Sequence, residues 1–364
     1  MKLDALFQPV SFGALTLPNR FVMAPMSRYA CPDRIPTPEL SAYHRRRAEG
    51  RVGLMLTGAA AIDHPAANNS PVLADFRAEA QPAWQRLVRE THDAGGRIAL
   101  QLWHAGGRFN REPWWHPAPL VSPSGLGGPA FVVGEPLSDE AIVDLVDRFG
   151  RAAADARRVG FDAVEIHAAH GFLIDQFFWD RTNMRTDRWG GVHIEDRLAF
   201  ALAVYRAVRA AVGPGMPVSM RISQWKEQDY KARLATTPDA LARWIGPFVD
   251  AGVDFVNCSQ RRFWEPEFEG SDMNLAGWVK RLTGARTMTI GSIGLDRDVT
   301  ASFAGDRAAP APLTGLVERF ARGDFDLVGL GRVLLADPHW IEKVRDGRFS
   351  ELIPFEAGAA DVVY

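Results

Sequence analysis

The chain has 364 residues, 47% of them hydrophobic and 24% charged, with a formal charge of −2. That near-neutral balance gives no electrostatic case for a nucleic acid or a membrane partner. Two cysteines, Cys31 and Cys258, cannot build a disulfide framework, a four-cysteine zinc site or an iron–sulfur cluster. No apolar run approaches the ~20 residues of a membrane span, and the N-terminus lacks a signal-peptide core, so a cytoplasmic protein is expected.

Residues 10–17, with Gly13 in the middle, read as a hairpin able to close the bottom of a barrel. Short apolar runs then alternate with longer amphipathic segments. Strands are expected at 21–25, 53–57, 98–102, 163–167, 218–221, 255–258, 288–291 and 327–330. Several are continuous apolar runs, as strands covered on both faces should be. Helices are expected at 38–49, 81–94, 138–159, 194–212, 238–251, 275–283, 313–322 and 338–346. Ser138 before Asp139 and Glu140 reads as an N-cap with an acidic first turn, and Gly160 falls where that helix needs a left-handed end.

Eight strand–helix repeats predict an α/β protein of the (β/α)8 TIM-barrel class, as a single domain over 1–364. A doubly wound sheet is the main rival, but no Gly-x-Gly-x-x-Gly opens a helix after the first strand. Two connections are too long for turns: 104–137 after strand three and 259–274 after strand six. Both belong to the C-terminal face, where barrel enzymes keep their chemistry.

The strand ends carry three chemical groups. His167 and His170 can hold a carbonyl or an anion. Gln101 and Arg221 can bind a planar polar ring. Gly291-Ser292 and Gly331-Arg332 end strands seven and eight, the recurring phosphate site of this barrel. Glycines let backbone N–H groups approach a phosphate, and Arg332 adds a bidentate charge. A phosphate-bearing planar cofactor fits the set, and FMN is the natural candidate. Arg221 and Gln101 would face the flavin pyrimidine edge; Pro25, Met26, Ser27 and Ala59 would contact the ring. Each residue has a plainer reading as a turn glycine or a structural hydrogen-bonder, and joint placement on one face favours the cofactor. A zinc site needs a third ligand, for which His104 is the obvious addition, and no metal is expected. A Schiff-base aldolase needs a lysine at a strand end, whereas Lys226 is expected in a loop past strand five.

The motifs Asn19-Arg20-Phe21-Val22-Met23-Ala24-Pro25-Met26, Gln101-Leu102-Trp103-His104, His167-Ala168-Ala169-His170-Gly171, Asp175-Gln176-Phe177, Asn183-Met184-Arg185-Thr186-Asp187 and Gly329-Leu330-Gly331-Arg332 occur in this order across nearly the whole chain. In them the sequence resembles the Old Yellow Enzyme family of FMN-dependent NAD(P)H:flavin oxidoreductases and ene-reductases. Residues 223–230 and 262–268 resemble a less-studied bacterial subgroup. The family's two-domain iron–sulfur branch is not expected, from the missing cysteines and the end at Tyr364.

The resemblance implies tightly bound FMN, NADH or NADPH as a transient reductant, and a small electron-poor alkene as substrate. His167 and His170 would hold the substrate's carbonyl or nitro oxygen in an oxyanion-hole role. The residue two past the second clamp position is normally a proton-donating Tyr; here it is Phe172. Tyr29, in the loop after strand one, is the preferred substitute donor. Tyr29, Phe172, Tyr230 and Trp264 are expected to contact substrate, with Trp264 either roofing the flavin or packing its loop. Gly58 stands where family members often carry an acid. Two alternatives remain open: an FMN-dependent dehydrogenase or oxidase that needs no α-carbon protonation, and a weakly active flavin-binding protein. The choice between NADH and NADPH and the oligomeric state, a homo-oligomer included, are not legible.

Overall fold

Eight parallel strands pair in chain order and close on themselves in a computed structural model that describes residues 3–108, 115 and 117–364. They are β1 (Phe21–Met23), β2 (Leu54–Ile62), β3 (Ile98–Trp103), β4 (Ala163–His170), β5 (Val218–Lys226), β6 (Phe255–Ser259), β7 (Thr287–Ile290) and β8 (Leu327–Leu330). β1 pairs with both β8 and β2, which completes the barrel. The surrounding helices are α1 (Pro38–Glu49), α2 (Gln81–Asp93), α3 (Asp139–Val159), α4 (Ala199–Val212), α5 (Pro238–Asp250), α6 (Leu275–Thr283), α7 (Thr314–Ala321) and α8 (Trp340–Arg345). This is the expected (β/α)8 TIM barrel. Part of the expected long loop after β3 lies outside the described residues.

Local chemistry sets the helix ends. Thr37 Oγ1 accepts the Leu40 N–H at 3.3 Å, Ser138 Oγ the Ala141 N–H at 3.2 Å, and Asn274 Oδ1 the Gly277 N–H at 3.0 Å. Each cap contributes about 1 kcal/mol. Gly160 ends α3 at φ 104°, a conformation that a side chain would strain.

The barrel interior has two layers. In the lower one, inward side chains of Val22, Leu54, Ala99, Ala163, Phe255, Met288 and Leu327 pack with Phe12, Leu15 and Leu17. The last three come from an N-terminal hairpin, Val10–Phe12 paired antiparallel with Leu15–Leu17, turning at Gly13 with φ 53°. The Phe12 ring lies 5.2 Å from that of Phe255, and Ala14 N–H donates to Gly215 O, just before β5, at 3.3 Å. The hairpin therefore closes the bottom. In the upper layer the inward positions turn polar: Gln101, Glu165, His167, Arg221 and Asn257 are all buried. Strand alternation explains the pairing of layers, since Ala163, Glu165 and His167 share one face of β4.

β2, β4 and β5 run at least three residues further than expected, and β3 and β6 one residue further. The register shifts between Leu56 and Ala59 in β2, and between Ile222 and Lys226 in β5. Beyond the second shift Lys226 pairs with His170. His170 is thus the last residue of β4, not a loop residue, and Lys226 is in a strand. Three short helices escaped the sequence pattern: Leu173–Phe178, Val299–Phe303 and Arg332–Ala336. Among the described residues no helix is long and apolar enough to cross a membrane.

Candidate active site

A cavity of about 580 Å³ opens at the C-terminal ends of the strands. His167, His170 and Phe172 from β4 and its following turn line it. Gln101 and Arg221 contribute from β3 and β5, and Pro25, Met26, Ser27 and Tyr29 from the segment after β1. Ala59, Gly291, Ser292, Gly331 and Arg332 complete the set from β2 and the ends of β7 and β8. Neither Trp264 nor Tyr230 lines the cavity. Trp264 is 40% exposed and packs edge-on to Phe263, their centroids 5.2 Å apart. Tyr230 stacks on Trp225 at 5.5 Å, and Trp225 in turn stacks on His170 at 4.3 Å.

The two histidines stand perpendicular, ring centroids 5.2 Å apart. Burial, and then the Arg221 charge, push both imidazoles well below their ordinary pKa, so both are neutral and each carries one N–H. His167 Nδ1 is buried without a partner. His170 Nε2 is 2.9 Å from Ser259 Oγ, which also accepts from Arg221 Nη2 at 3.2 Å. His170 adopts φ 65°, and its N–H donates to Ser223 Oγ at 2.9 Å. The sequence motifs assign no site role to Ser259, Trp225 or Glu165; the parity of Glu165 with His167 on an apolar strand is the available signal.

Beneath the cavity, Glu165 Oε1 accepts from Gln101 Nε2 at 2.8 Å and Oε2 from Asn257 Nδ2 at 2.8 Å. Arg221 Nε and Nη1 are buried without a partner. Two unpaired guanidinium donors beside a neutral histidine pair suit an electron-rich polar ring. At the far side, next to Gly291 at φ 139°, both terminal nitrogens of Arg332 are engaged rather than free for a bidentate contact: Nη2 donates to Ser292 Oγ at 3.0 Å and Arg297 O at 2.7 Å, and Nη1 to Asp298 O at 2.9 Å and to Ser302 Oγ. Burial pulls Arg332 down to about 10, opposed by Asp298, so it stays cationic at neutral pH. A cation with glycine-bearing turns suits a phosphate. The residues therefore fit FMN.

Phe172 packs edge-on to both Trp103 and His167, at 5.3 and 5.1 Å. Arg108 lies over its ring at 5.8 Å and pairs with Glu227 at 2.5 Å, both of them lining the cavity. The exposed Tyr29 hydroxyl makes no hydrogen bond within the described residues. Gly58 cannot carry an acid here: a Cβ would sit 2.7 Å from Ser27 Cα and 2.9 Å from Met26 O.

Two residues weighed for other chemistry are engaged elsewhere. His104 Nε2 is 3.0 Å from His64 Nδ1, and His104 does not line the cavity. Lys226 is fully buried in an ion pair with Asp175. No group of three or more metal-ligating side chains occurs among the described residues.

This barrel, with a histidine pair and a phosphate-ready turn at its mouth, defines a flavoprotein of the oxidoreductase class. The family model for the NADH:flavin oxidoreductase / NADH oxidase family matches residues 5–308, and the chain belongs to that family, the Old Yellow Enzyme family. Chanoclavine-I aldehyde reductase from Penicillium roqueforti is 37% identical over 359 residues, covering 96% of this chain and 90% of that one. N,N-dimethylglycine/sarcosine dehydrogenase from Chromohalobacter salexigens is 30% identical over 361 residues, covering 95% of this chain. The chain spans about half the length of that relative (49%). The solved structure of morphinone reductase superposes with a TM-score of 0.80 at 27% identity, over 99% of this chain and 95% of that one.

Proposed function

We propose that the protein binds FMN and uses NADH or NADPH to reduce activated C=C bonds of small α,β-unsaturated carbonyl or nitro compounds, with 1–364 acting as one FMN-binding domain. The unpaired, buried Nδ1 of His167, beside a second neutral imidazole, carries this reading. FMN, when bound, supplies the hydride acceptor and donor. Pro25, Met26, Ser27, Ala59, Gln101 and Arg221 hold its ring system, and Gly291, Ser292, Gly331 and Arg332 its phosphate. His167 and His170 hold the substrate oxygen and stabilise the negative charge that develops on it, which polarises the double bond. Trp225 fixes the His170 ring plane. Phe172 shapes the wall beside the clamp and has no proton to give. Tyr29 supplies the α-carbon proton from the cavity mouth, where its hydroxyl is free. Trp264 and Tyr230 support the loops around the cavity and contact only larger substrates.

The test is anaerobic. Purified protein should be yellow and release FMN on denaturation. NADH or NADPH should bleach it, and cyclohexenone or maleimide should restore the colour. Reduced protein that oxygen reoxidises and no activated alkene does would refute the reading.

A second reading has one observation of its own. A dehydrogenase that takes hydride from its substrate protonates no α-carbon, so Phe172 is no handicap to it. The relative named N,N-dimethylglycine/sarcosine dehydrogenase lends it support. Bleaching of the oxidised protein by a secondary or tertiary amine without NAD(P)H would favour it.

A further inference from the structure

We infer that Glu165 is a positioning residue for the flavin: its carboxylate fixes which way the Gln101 amide faces, offsets the charge of Arg221, and so holds the cofactor's reduction potential down. The inference rests on the FMN reading above.

Glu165 has no exposed surface and lies one layer below the cavity. Its neighbours Gln101, His167 and Arg221 all line the cavity above it. The layer is set by register: Gln101 pairs with Glu165 across β3 and β4, and Glu165 with Ser219 across β4 and β5. Oε1 accepts from Gln101 Nε2 at 2.8 Å; Oε2 accepts from Asn257 Nδ2 at 2.8 Å and from Ser219 Oγ at 3.4 Å. Every partner presents an N–H or an O–H. Burial pushes the Glu165 carboxyl up, and the Arg221 charge and these donors oppose that shift; a surround made of donors suits an ionised carboxylate, which can only accept.

Two consequences follow for the ligand side. With Nε2 tied downward to a carboxylate, the Gln101 amide cannot turn over, because its carbonyl would then face an anion. Its Oε1, which makes no hydrogen bond within the described residues, is left as an acceptor for an N–H of the flavin pyrimidine ring. Arg221 makes no ion pair within 4.0 Å among the described residues, so the Glu165 charge acts on it through space. Its Nε and Nη1 stay free to donate while its charge is offset. Burial and the Glu165 charge act on the arginine in opposite directions, burial being the larger.

The sign is fixed by electrostatics. Reduction adds negative charge to the ring system. Arg221 favours that charge and a carboxylate in the same low-dielectric layer opposes it. Removing the carboxylate therefore raises the potential. A purely structural Glu165 would alter stability and leave the potential where it was.

The experiment measures FMN affinity and the midpoint potential of the FMN-loaded protein against a reference dye. Glu165→Gln should shift the reduced-to-oxidised ratio at fixed poise about tenfold toward reduced, about 30 mV for a two-electron couple. Glu165→Asp, which keeps the charge, should stay within about twofold of wild type. Should the Gln variant not fold, Glu165→Ala carries the same expectation. A folded, FMN-loaded neutral variant with an unchanged potential overturns the inference. Wild-type protein that neither carries nor takes up FMN overturns the flavin reading, and the inference with it.

Discussion

Lys226 Nζ lies 2.7 Å from Asp175 Oδ1, and neither side chain has any exposed surface. Asp175 Oδ2 accepts the Gly171 N–H at 2.6 Å, and Lys226 also donates to Ser223 O at 3.2 Å. Burial pushes the acid up and the amine down, and each partner opposes the other's shift. The pair thus ties the end of β5 to the turn that holds His170 in its left-handed conformation. Lys226→Met leaves a buried carboxylate alone and should cost roughly 3–5 kcal/mol in urea unfolding. Lys226→Met with Asp175→Leu should recover most of that loss. A single-variant loss below about 1 kcal/mol would contradict the role.

The clamp is tested by ligand binding. His167→Ala and His170→Ala each remove one hydrogen bond to a bound phenolate, worth roughly 1.5–3 kcal/mol, or about 10–150-fold in Kd. The double variant should bind no phenol detectably in a flavin absorbance titration. Ser259→Ala frees His170 Nε2 and should leave phenol affinity equal or higher; a marked loss would mean that the serine orients the ring.

Proton supply separates two residues. A positioned acid contributes roughly 10²–10⁴ in rate. If supply limits turnover, Phe172→Tyr should speed reoxidation by simple enones. Tyr29→Phe should slow that half-reaction by about 10² or more and leave reduction by NAD(P)H unchanged. Stopped-flow traces of the two half-reactions report each outcome separately.

Acid stability follows from His44. It is 2% exposed on α1, its Nδ1 2.8 Å from Leu40 O. Burial lowers its pKa from 6.5 to about 4. Between those values the unfolded chain binds a proton that the folded chain does not. The contribution is therefore full above about pH 6.5 and is lost as pH falls toward about 4. Its slope is at most about 1.4 kcal/mol per pH unit. Urea unfolding of His44→Gln should show a shallower fall across that window than wild type.

The bottom plug should be separable from the site. Phe12→Ala should cost roughly 3–5 kcal/mol, the range for a buried phenylalanine. FMN affinity should stay within about twofold, since the hairpin lies at the opposite end of the barrel. A variant of wild-type stability would mean that the hairpin is only draped there.

Apolar runs made the barrel legible: all eight strands lie where the runs are, because strands covered on both faces have no polar side to confuse the pattern. α1 and α6 match residue for residue because Thr37, Asn274 and Gly284 mark their ends chemically. The five- and six-residue helices Leu173–Phe178, Val299–Phe303 and Arg332–Ala336 carry too little periodicity to be read, and the six-residue α8 is found only within the longer expected span 338–346. Strand ends were misjudged where the register shifts, since a bulge depends on the neighbouring strand. At the cavity, residues of marked chemistry were found, whereas Ser259 and Trp225 matter through partners distant in sequence. Trp264 misled because an aromatic in a long loop has no parity to tell inside from outside.

The stack that begins at His170 continues outward through Trp225 and Tyr230 to Arg261, whose guanidinium sits 4.9 Å above the Tyr230 ring. Tyr230 is 52% exposed, so the outer end of the column meets solvent while the inner end is the imidazole itself. Surface variation at Tyr230 is thereby transmitted, face to face, into the tilt of the imidazole. The selectivity of this cavity can drift, or be engineered, from a position outside its lining.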